Sequence, residues 1–146
     1  MTDDLYRSLK ASISNWIYSI TEDLTDFEVF DFDAVVEEEE FDQRDYLGPI
    51  EFYVAGEQTL GEVGFKVAAC TYEDPGIGRL TEAVNQVVNR CAGKSVVIPI
   101  LHYDTGYPLG KLASDGTWLA APVVRLQSRT RPFQTVALNF KLTLGF

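Results

Sequence analysis

The segment at residues 102–106, His-Tyr-Asp-Thr-Gly, is the part of this sequence that is most suggestive of catalysis. It follows an apolar run, and a carboxylate such as that of Asp104 could activate a water molecule if a second subunit supplied another. Asp-Thr-Gly is also a common turn sequence, and the bulky Tyr107 follows it where an aspartic-type hydrolase usually has a small residue. His102 has no cysteine or serine partner in a nucleophile-elbow context. The pattern therefore favours a turn, and an aspartic-type hydrolase using Asp104 is kept as a remote alternative.

Residues that would hold a cofactor or a metal ion are scarce in this sequence. Gly76 and Gly78 lie at the start of a predicted helix, but the third glycine and the Lys-Ser/Thr pair of phosphate-binding loops are missing. The acidic residues between positions 31 and 42 do not follow the EF-hand pattern, which needs a glycine at the sixth loop position. One histidine with Cys70 and Cys91 cannot make a four-ligand zinc site by the usual spacings. We expect no cofactor and no metal, with both cysteines reduced and buried as small apolar residues.

Charge is distributed unevenly along the 146 residues, although the net value is −10. The first 74 residues contain 19 acids and 4 bases, whereas the remaining residues contain 3 acids and 8 bases. This balance disfavours a nucleic-acid binder that is basic overall. The hydrophobic content of 46% is enough for a core, which excludes a wholly disordered acidic tail. The length fits a single domain spanning 1–146, and no stretch approaches the roughly 18 apolar residues that would cross a bilayer.

Two amphipathic helices are predicted from apolar residues that recur at helical spacing. The first spans about residues 3–22, and its apolar stripe is Leu5, Leu9, Ile13, Trp16, Ile17, Ile20 and Leu24. The second spans about residues 76–92, after the helix-start signal Asp74-Pro75 and before a glycine in the preferred position past the helix end. We expect the first stripe to pack in the core of its own chain rather than on a membrane or a partner.

Alternating or continuous apolar residues predict the strands. They cover residues 27–36, 50–54, 63–69, 96–101, 118–127 and 133–146. Pro99 cannot donate to a ladder, which favours an edge position or a bulge for its strand. The acidic run 37–45, ended by Gly48-Pro49, and the glycine-rich segment 104–117 are predicted to be loops. The order of elements predicts an α+β fold with an antiparallel or mixed β-sheet, two helices packed on one face and a long C-terminal strand or hairpin.

The predicted C-terminal strand is so long that its end either curls around the core or projects beyond its own subunit. A projecting apolar edge needs a cover, and the simplest cover is a neighbouring copy of the chain. The basic residues before this strand could then meet the acid-rich half of the next copy in a head-to-tail ring. The predicted subunit interface consists of Arg125, Arg129, Arg131, Phe140, Leu142, Leu144 and Phe146.

The order of these elements resembles the tail-terminator, or tail-completion, proteins of long-tailed bacteriophages. The resemblance rests on the amphipathic N-terminal helix, an early strand, the acidic loop and a Gly-Pro lead into Ile-Glu-Phe-Tyr-Val at 50–54. It continues through the helix that begins Gly-Arg-Leu-Thr-Glu-Ala-Val at 78–84 and the closing Arg-Thr-Arg-Pro-Phe at 129–133. After that turn, the last strand alternates to the end of the chain. The similarity of pattern covers most of the chain.

The resemblance implies a structural virion protein that forms a six-membered ring, caps the tail tube and joins it to the head-side connector protein. It implies the tail tube and possibly the sheath protein as partners, a place in the tail or neck after assembly in the host cytoplasm, and neither a cofactor nor catalysis. DNA would pass through the ring without sequence-specific binding, and an acidic loop lining that channel would keep DNA phosphates from adhering. The channel-facing or partner-facing candidates are Glu37, Glu38, Glu39, Glu40 and Asp42. Another phage neck or baseplate structural or adaptor protein is the alternative.

Overall fold

Apolar periodicity determines most of the elements in the computed structural model, which describes residues 4–34, 44–93, 95–125 and 131–145. The helices are α1 (Leu5–Thr21) and α2 (Gly78–Cys91). The strands are β1 (Phe27–Val29), β2 (Asp45–Glu57), β3 (Leu60–Cys70), β4 (Val97–Leu101), β5 (Pro108–Ala120), β6 (Val124–Arg125) and β7 (Pro132–Leu144). Short 3-10 turns at Phe32–Ala34 and Pro75–Ile77 precede β2 and α2. Both helices begin and end within two residues of their predicted bounds.

The strands form one mixed sheet in the order β1-β2-β3-β7-β5-β4, and β6 pairs with β7 beyond the end of β5. β1 runs parallel to β2, and every other pair is antiparallel. Both helices pack on one face of the sheet, here called the helix face, and the opposite face is called the open face. The predicted α+β fold is confirmed.

The core lies between the helix face and the two helices. Its buried side chains from α1 and β7 are Leu9, Ile13, Ile17, Ile20, Val136, Leu138, Phe140 and Leu142. The rings of Phe65 and Phe140 are stacked with their centroids 5.5 Å apart, and Trp16 meets both rings edge-on. Each such side chain stabilises the fold by about 1.5–3 kcal/mol when it leaves water, so the apolar stripe of α1 is held where the sequence predicted. Within the described ranges no helix is long and apolar enough to cross a membrane.

The first predicted strand is wrong for residues 30–34, because the chain there turns away from its place in the sheet, and residues 35–36 of that prediction lie outside the described residues. The carboxylate of Asp33 accepts hydrogen bonds from the amides of Glu51 at 2.8 Å and Phe52 at 3.3 Å, where the register of β2 shifts in a bulge. Phe32 is buried against the open face. The alternation of phenylalanine and aspartate here therefore reflects a turn that covers one end of the open face, rather than a strand with one wet face.

The segment 104–117, predicted to be a loop, mostly belongs to strand β5, and that prediction is wrong. A Cβ at Gly110 would lie 2.2 Å from the carbonyl oxygen of Thr143, so glycine permits the close approach of β5 and β7. Gly116 has φ of 86° and lies where the register of the same pair shifts. Residues 48–49, predicted to end the acidic loop, likewise lie inside β2. Gly48, Gly110 and Gly116 therefore lie at strand contacts and a bulge, whereas Gly106 remains in the turn before β5.

The last strand, β7, has the predicted alternation but not the predicted position. β3 pairs with it along one side, and β5 and β6 pair with it along the other. β7 is therefore a central strand, and its described part presents no projecting apolar edge. The prediction of such an edge at β7 is corrected, because alternation reports which face of a strand is buried but not which strands flank it.

Candidate self-association surface

The predicted interface residues of the last strand lie mostly inside their own chain. Phe140 and Leu142 are 1% and 3% exposed, because alternate residues of the central strand β7 face the core. Leu144 is half-buried against the same core. Phe146 lies outside the described residues. A second copy cannot reach Phe140 or Leu142 in the folded chain, so this part of the predicted interface is corrected.

The predicted basic residues have different environments. Arg131 is 6% exposed, its guanidinium lies 5.0 Å from the centroid of the Tyr72 ring, and its Nη1 donates to the carbonyl oxygen of Arg44 at 3.2 Å. Arg131 therefore stabilises the fold of its own chain, and its assignment to a subunit interface is corrected. Arg125 is exposed on β6 and forms no ion pair within the described part of the chain. Arg129 lies outside the described residues.

The acidic run divides between residues that are described and residues that are not. The channel-facing candidates Glu37, Glu38, Glu39, Glu40 and Asp42 lie outside the described residues. Asp45, which the sequence analysis placed in the same loop, is the first residue of β2 and is buried. Its carboxylate accepts hydrogen bonds from Nε of Arg79 at 2.7 Å and from the amide of Tyr72 at 3.0 Å. Asp45 is therefore a bound strand residue, and its assignment to a self-repelling loop is corrected.

Asp74 precedes the 3-10 turn Pro75–Ile77 rather than α2 itself, whose N-cap residue is Ile77, but its carboxylate reaches the first amides of α2. Its two carboxylate oxygens accept hydrogen bonds from the amides of Arg79 at 3.2 Å and Leu80 at 2.9 Å and from the hydroxyl of Thr71 at 3.0 Å. Burial raises the pKa of Asp74, but the hydrogen bonds from Leu80, Arg79 and Thr71, with the charge of Arg79, outweigh it and hold the pKa below its usual value. The hydrogen bond to Asp45 raises the pKa of Arg79. This network joins the start of α2 to β2, and the sequence could not reveal it because 34 residues separate Asp45 from Arg79.

An open pocket of about 600 Å³ lies beside this network and against β1. Its lining residues are Thr25, Asp26, Phe27, Glu28, Arg44, Asp45, Tyr72 and Arg79. Two ion pairs lie along it, Arg44 with Glu28 and Arg79 with Asp45. Asp26 is exposed and forms no ion pair in the ranges that the structure describes. The pocket therefore carries an uncompensated negative charge at the β1 edge of the sheet.

The His-Tyr-Asp-Thr-Gly segment forms a turn, as predicted. Nδ1 of His102 accepts hydrogen bonds from the amides of Asp104 and Thr105, both at 3.2 Å. Nε2 of the same ring lies 3.2 Å from Oδ2 of Asp4. Gly106 has φ of 74°, a conformation that glycine adopts without strain. His102 therefore links the turn, through Nδ1, to Asp4 at the start of α1, through Nε2. Asp104 is exposed beside it.

A run of exposed apolar residues extends from Trp118 to Val124. Trp118, Leu119 and Val124 are 42%, 69% and 52% exposed. β4 pairs with β5 only as far as Ala113, so the outer side of β5 from Trp118 onward has no partner strand among the described residues. β6 continues the same line along β7. These residues, 118–125, are here called the open edge, because an unpaired apolar strand edge is a template for pairing with another chain.

The outer side of β4, on the same margin of the sheet, offers few free groups. In the register of β4 against β5, the backbone N–H and C=O groups of Val97, Pro99 and Leu101 point away from β5. Pro99 has no amide proton to offer, and the amide of Leu101 donates to Oγ of Ser12 on α1 at 3.1 Å. The predicted edge position of the strand with Pro99 is confirmed. The open edge is therefore the more accessible part of this margin.

The sequence predicts a strand at the open edge but gives no sign that this strand forms a surface. The signal available was the string Trp-Leu-Ala-Ala-Pro-Val-Val at 118–124, which is apolar without alternation. A buried strand has the same kind of apolar run as an exposed sheet edge, so only the strands that flank it distinguish the two cases. Here the partners on one side are missing among the described strands, and the apolar residues remain in contact with water.

No group of three or more His, Cys, Asp or Glu side chains in the described part of the chain is placed to hold a metal ion. Both cysteines are free and buried, which confirms their predicted state. No protein-family model and no curated protein sequence matches the chain. Solved structures do align with it, and one of them, whose name states no function, aligns over 100% of this chain and 97% of its own at 14% identity and a TM-score of 0.46. At that level the alignment carries no argument about function.

Proposed function

We propose that this chain is a structural virion protein that assembles with copies of itself into a ring, and that the ring is a tail terminator. The ring caps the tail tube and joins it to the head-side connector. The observation that carries the proposal is the open edge at 118–125, where apolar side chains are exposed and the outer side has no partner strand among the described residues. Burial of apolar surface favours association by about 25 cal/mol per Å², and a closed ring supplies a partner to the edge of every copy.

The placement of charge supports head-to-tail contact between the copies. Arg125 on β6 forms no ion pair within the described ranges, and neither do Glu22 and Asp26 on the opposite side, after α1 and before β1. A head-to-tail contact brings these opposite charges together at every junction, whereas a two-fold contact brings each patch to a copy of itself. Exposed ion pairs contribute only about 0–1 kcal/mol each, so the apolar edge supplies most of the affinity.

The α+β fold agrees with the resemblance to tail terminators that the sequence pattern carries. On this proposal the ring belongs to the tail or neck of the virion after assembly in the host cytoplasm. Its partners are the tail tube and the connector, with the sheath as a further candidate. DNA passes through without being read, and the acidic residues at 37–42 face the channel or a partner. No cofactor is involved.

Mass measurement of the purified chain, alone and with tail tubes of the same phage, tests this proposal. We expect rings of six copies that co-sediment with the tubes, and we expect added chain to stop the growth of tubes from their subunits. A strict monomer that never co-sediments with tubes would contradict the proposal. A ring that binds a connector or baseplate without stopping tube growth would favour the alternative, another neck or baseplate adaptor.

The hydrolase alternative gives the same experiment an internal control. Asp104 lies exposed in the turn braced by His102, away from the open edge in sequence and in strand position. Asp104→Asn should leave both ring mass and tube binding unchanged if the chain is an assembly protein. Loss of a hydrolytic activity in this variant, with the fold retained, would instead favour the hydrolase.

A further inference from the structure

We propose that copies of this chain join by continuing the sheet, with the open edge of one copy pairing antiparallel to β1 of the next. This proposal rests on the proposed function, because it names the two surfaces through which the ring closes. Both surfaces are margins of the sheet without a strand partner among the described residues. Three independent features of the described chain point to the match: register, strand direction and charge.

The two margins contain residues that lie level with one another across the paired strands, and such a set of level residues is here called a row. Glu28 of β1 is level with Tyr46, Tyr46 with Cys70, Cys70 with Phe133, and Phe133 with Val124 of β6. The open edge and β1 are therefore at the same end of the sheet and on its opposite sides. A second copy can add there without a large shift along the strands.

Strand direction also fits a repeated addition. β2 runs parallel to β1, and the pairs β2-β3, β3-β7 and β7-β6 are each antiparallel, so β6 runs antiparallel to β1. A copy added in the same orientation thus presents β1 antiparallel to the open edge of its neighbour. No copy has to be inverted, and one repeated operation can generate a closed ring.

The charges at the two margins are complementary in this register. Phe27 is level with Asp45, one row beyond Tyr46, and Arg125 is level with Pro132, one row beyond Phe133. Arg125 would therefore lie opposite Phe27 of the next copy, where β1 begins. The residue before Phe27 is Asp26, whose φ of 59° takes it out of the face alternation of the strand and leaves it beside the end at which Arg125 arrives. The pocket beside β1 leaves space for the side chains of the added strand.

Charge reversal tests the pairing. Arg125→Glu places a carboxylate near Asp26 at every junction, and Asp26→Lys places an ammonium near Arg125, so each variant should weaken self-association about tenfold or more. The double variant restores opposite charges at every junction and should recover the association of the wild type. Sedimentation velocity over a concentration series, with and without tail tubes, measures the association, and thermal unfolding confirms that each variant is folded. Lys111→Glu makes the same charge change at the other end of β5 and should have little effect.

A leucine pair supplies the matched control for the apolar contact. Leu119 on the open edge and Leu60 at the start of β3 are both exposed, at 69% and 65%. Leu119 is level with Ile50 of β2, so in this register it would meet the turn after β1 in the next copy. Leu119→Ser should weaken association about tenfold or more, because it removes that apolar contact from every junction. Leu60→Ser removes as much exposed apolar surface outside the open edge and β1 and should leave association unchanged.

The outcomes separate this pairing from the proposed function. A wild-type chain that is monomeric in every condition, with and without tubes, overturns both. If the wild-type chain assembles and Arg125→Glu and Leu119→Ser assemble equally well, the pairing is overturned. The proposal of a ring is not contradicted by that outcome. Folded single variants that lose association, with no recovery in the double variant, overturn the match of Arg125 to Asp26.

Discussion

Gly48 lies directly against the carbonyl group of Phe30, so that a Cβ at Gly48 would be 1.6 Å from the carbonyl oxygen. The amide of Phe30 donates to the carbonyl oxygen of Leu47 at 3.1 Å, which holds the chain after β1 on top of β2. Only a residue without a side chain permits this crossing. The contact positions β1, and with it the margin of the sheet that we propose to receive the next copy.

Gly48→Ala should destabilise the fold by about 2–4 kcal/mol, because the obstructing atom belongs to the backbone and cannot move aside cheaply. Gly64→Ala is the matched control on β3, where a Cβ would be 2.1 Å from Cε1 of Tyr53. The Tyr53 ring is half-exposed and can swing into solvent, so this change should cost about 1 kcal/mol. Urea unfolding monitored by circular dichroism measures both changes. Equal losses in the two variants would contradict the crossing at Gly48.

Periodicity predicted those elements whose burial follows one period throughout. Apolar residues repeat with a period of 3.6 residues in α1 and α2 and of 2 residues in β3 and β7. Each of these elements lies within a few residues of its predicted bounds. The loop predicted at β5 was wrong because glycine, which favours a loop, also permits close approach between strands. Gly110 against Thr143 is such an approach, and no local pattern distinguishes it from a turn.

The candidate surface depends on strand neighbours, which are long-range facts. The sequence predicted that Phe140 lies on the apolar side of its strand, and it shows Arg125 and Arg131 close together in the chain. It could not predict that β5 would cover β7, or that Arg131 would lie over the Tyr72 ring while Arg125 stays exposed. Arg125 therefore remains a candidate for the proposed interface, and the open edge replaces the residues of β7 as its apolar part.

Asp74→Asn should destabilise the fold by about 1–3 kcal/mol near neutral pH, because one carboxylate oxygen that accepts a hydrogen bond is replaced by a donor. The pKa of Asp74 is held below that of an unfolded aspartate, so the carboxylate's contribution is present above the unfolded value and is lost as the pH falls through the folded pKa. The difference between wild type and variant should therefore shrink below about pH 4. Urea unfolding at several pH values measures it.

Glu73→Gln is the control for that pH dependence, because Glu73 is the exposed acid next in the chain. Its unfolding free energy should stay within about 0.5 kcal/mol of the wild type at every pH. A difference between wild type and Asp74→Asn that persists undiminished at pH 2 would show that the charged carboxylate is not what stabilises the start of α2.

The thiols of Cys70 and Cys91 should react slowly in the native chain. Both are buried, and burial raises the pKa of Cys91 to about 11. The thiolate fraction of Cys91 at pH 8 is then about a hundredfold below that of an ordinary thiol, and the reagent also lacks access. Labelling with a thiol-specific chromophore should find no rapid reaction in the native chain and two reactive groups in denaturant. Rapid native labelling would contradict the placement of both residues.

Removal of residues 139–146 should unfold the chain rather than merely prevent its assembly. The deleted segment pairs with β3 and with β5 at the centre of the sheet, and it carries Phe140 and Leu142 of the core. Loss of two such side chains alone costs several kcal/mol, about the whole stability of a small domain. Circular dichroism should show no cooperative unfolding, whereas Leu119→Ser should unfold like the wild type. A truncated monomer that melts like the wild type would contradict the central position of β7, because only a dispensable edge strand can be lost in that way.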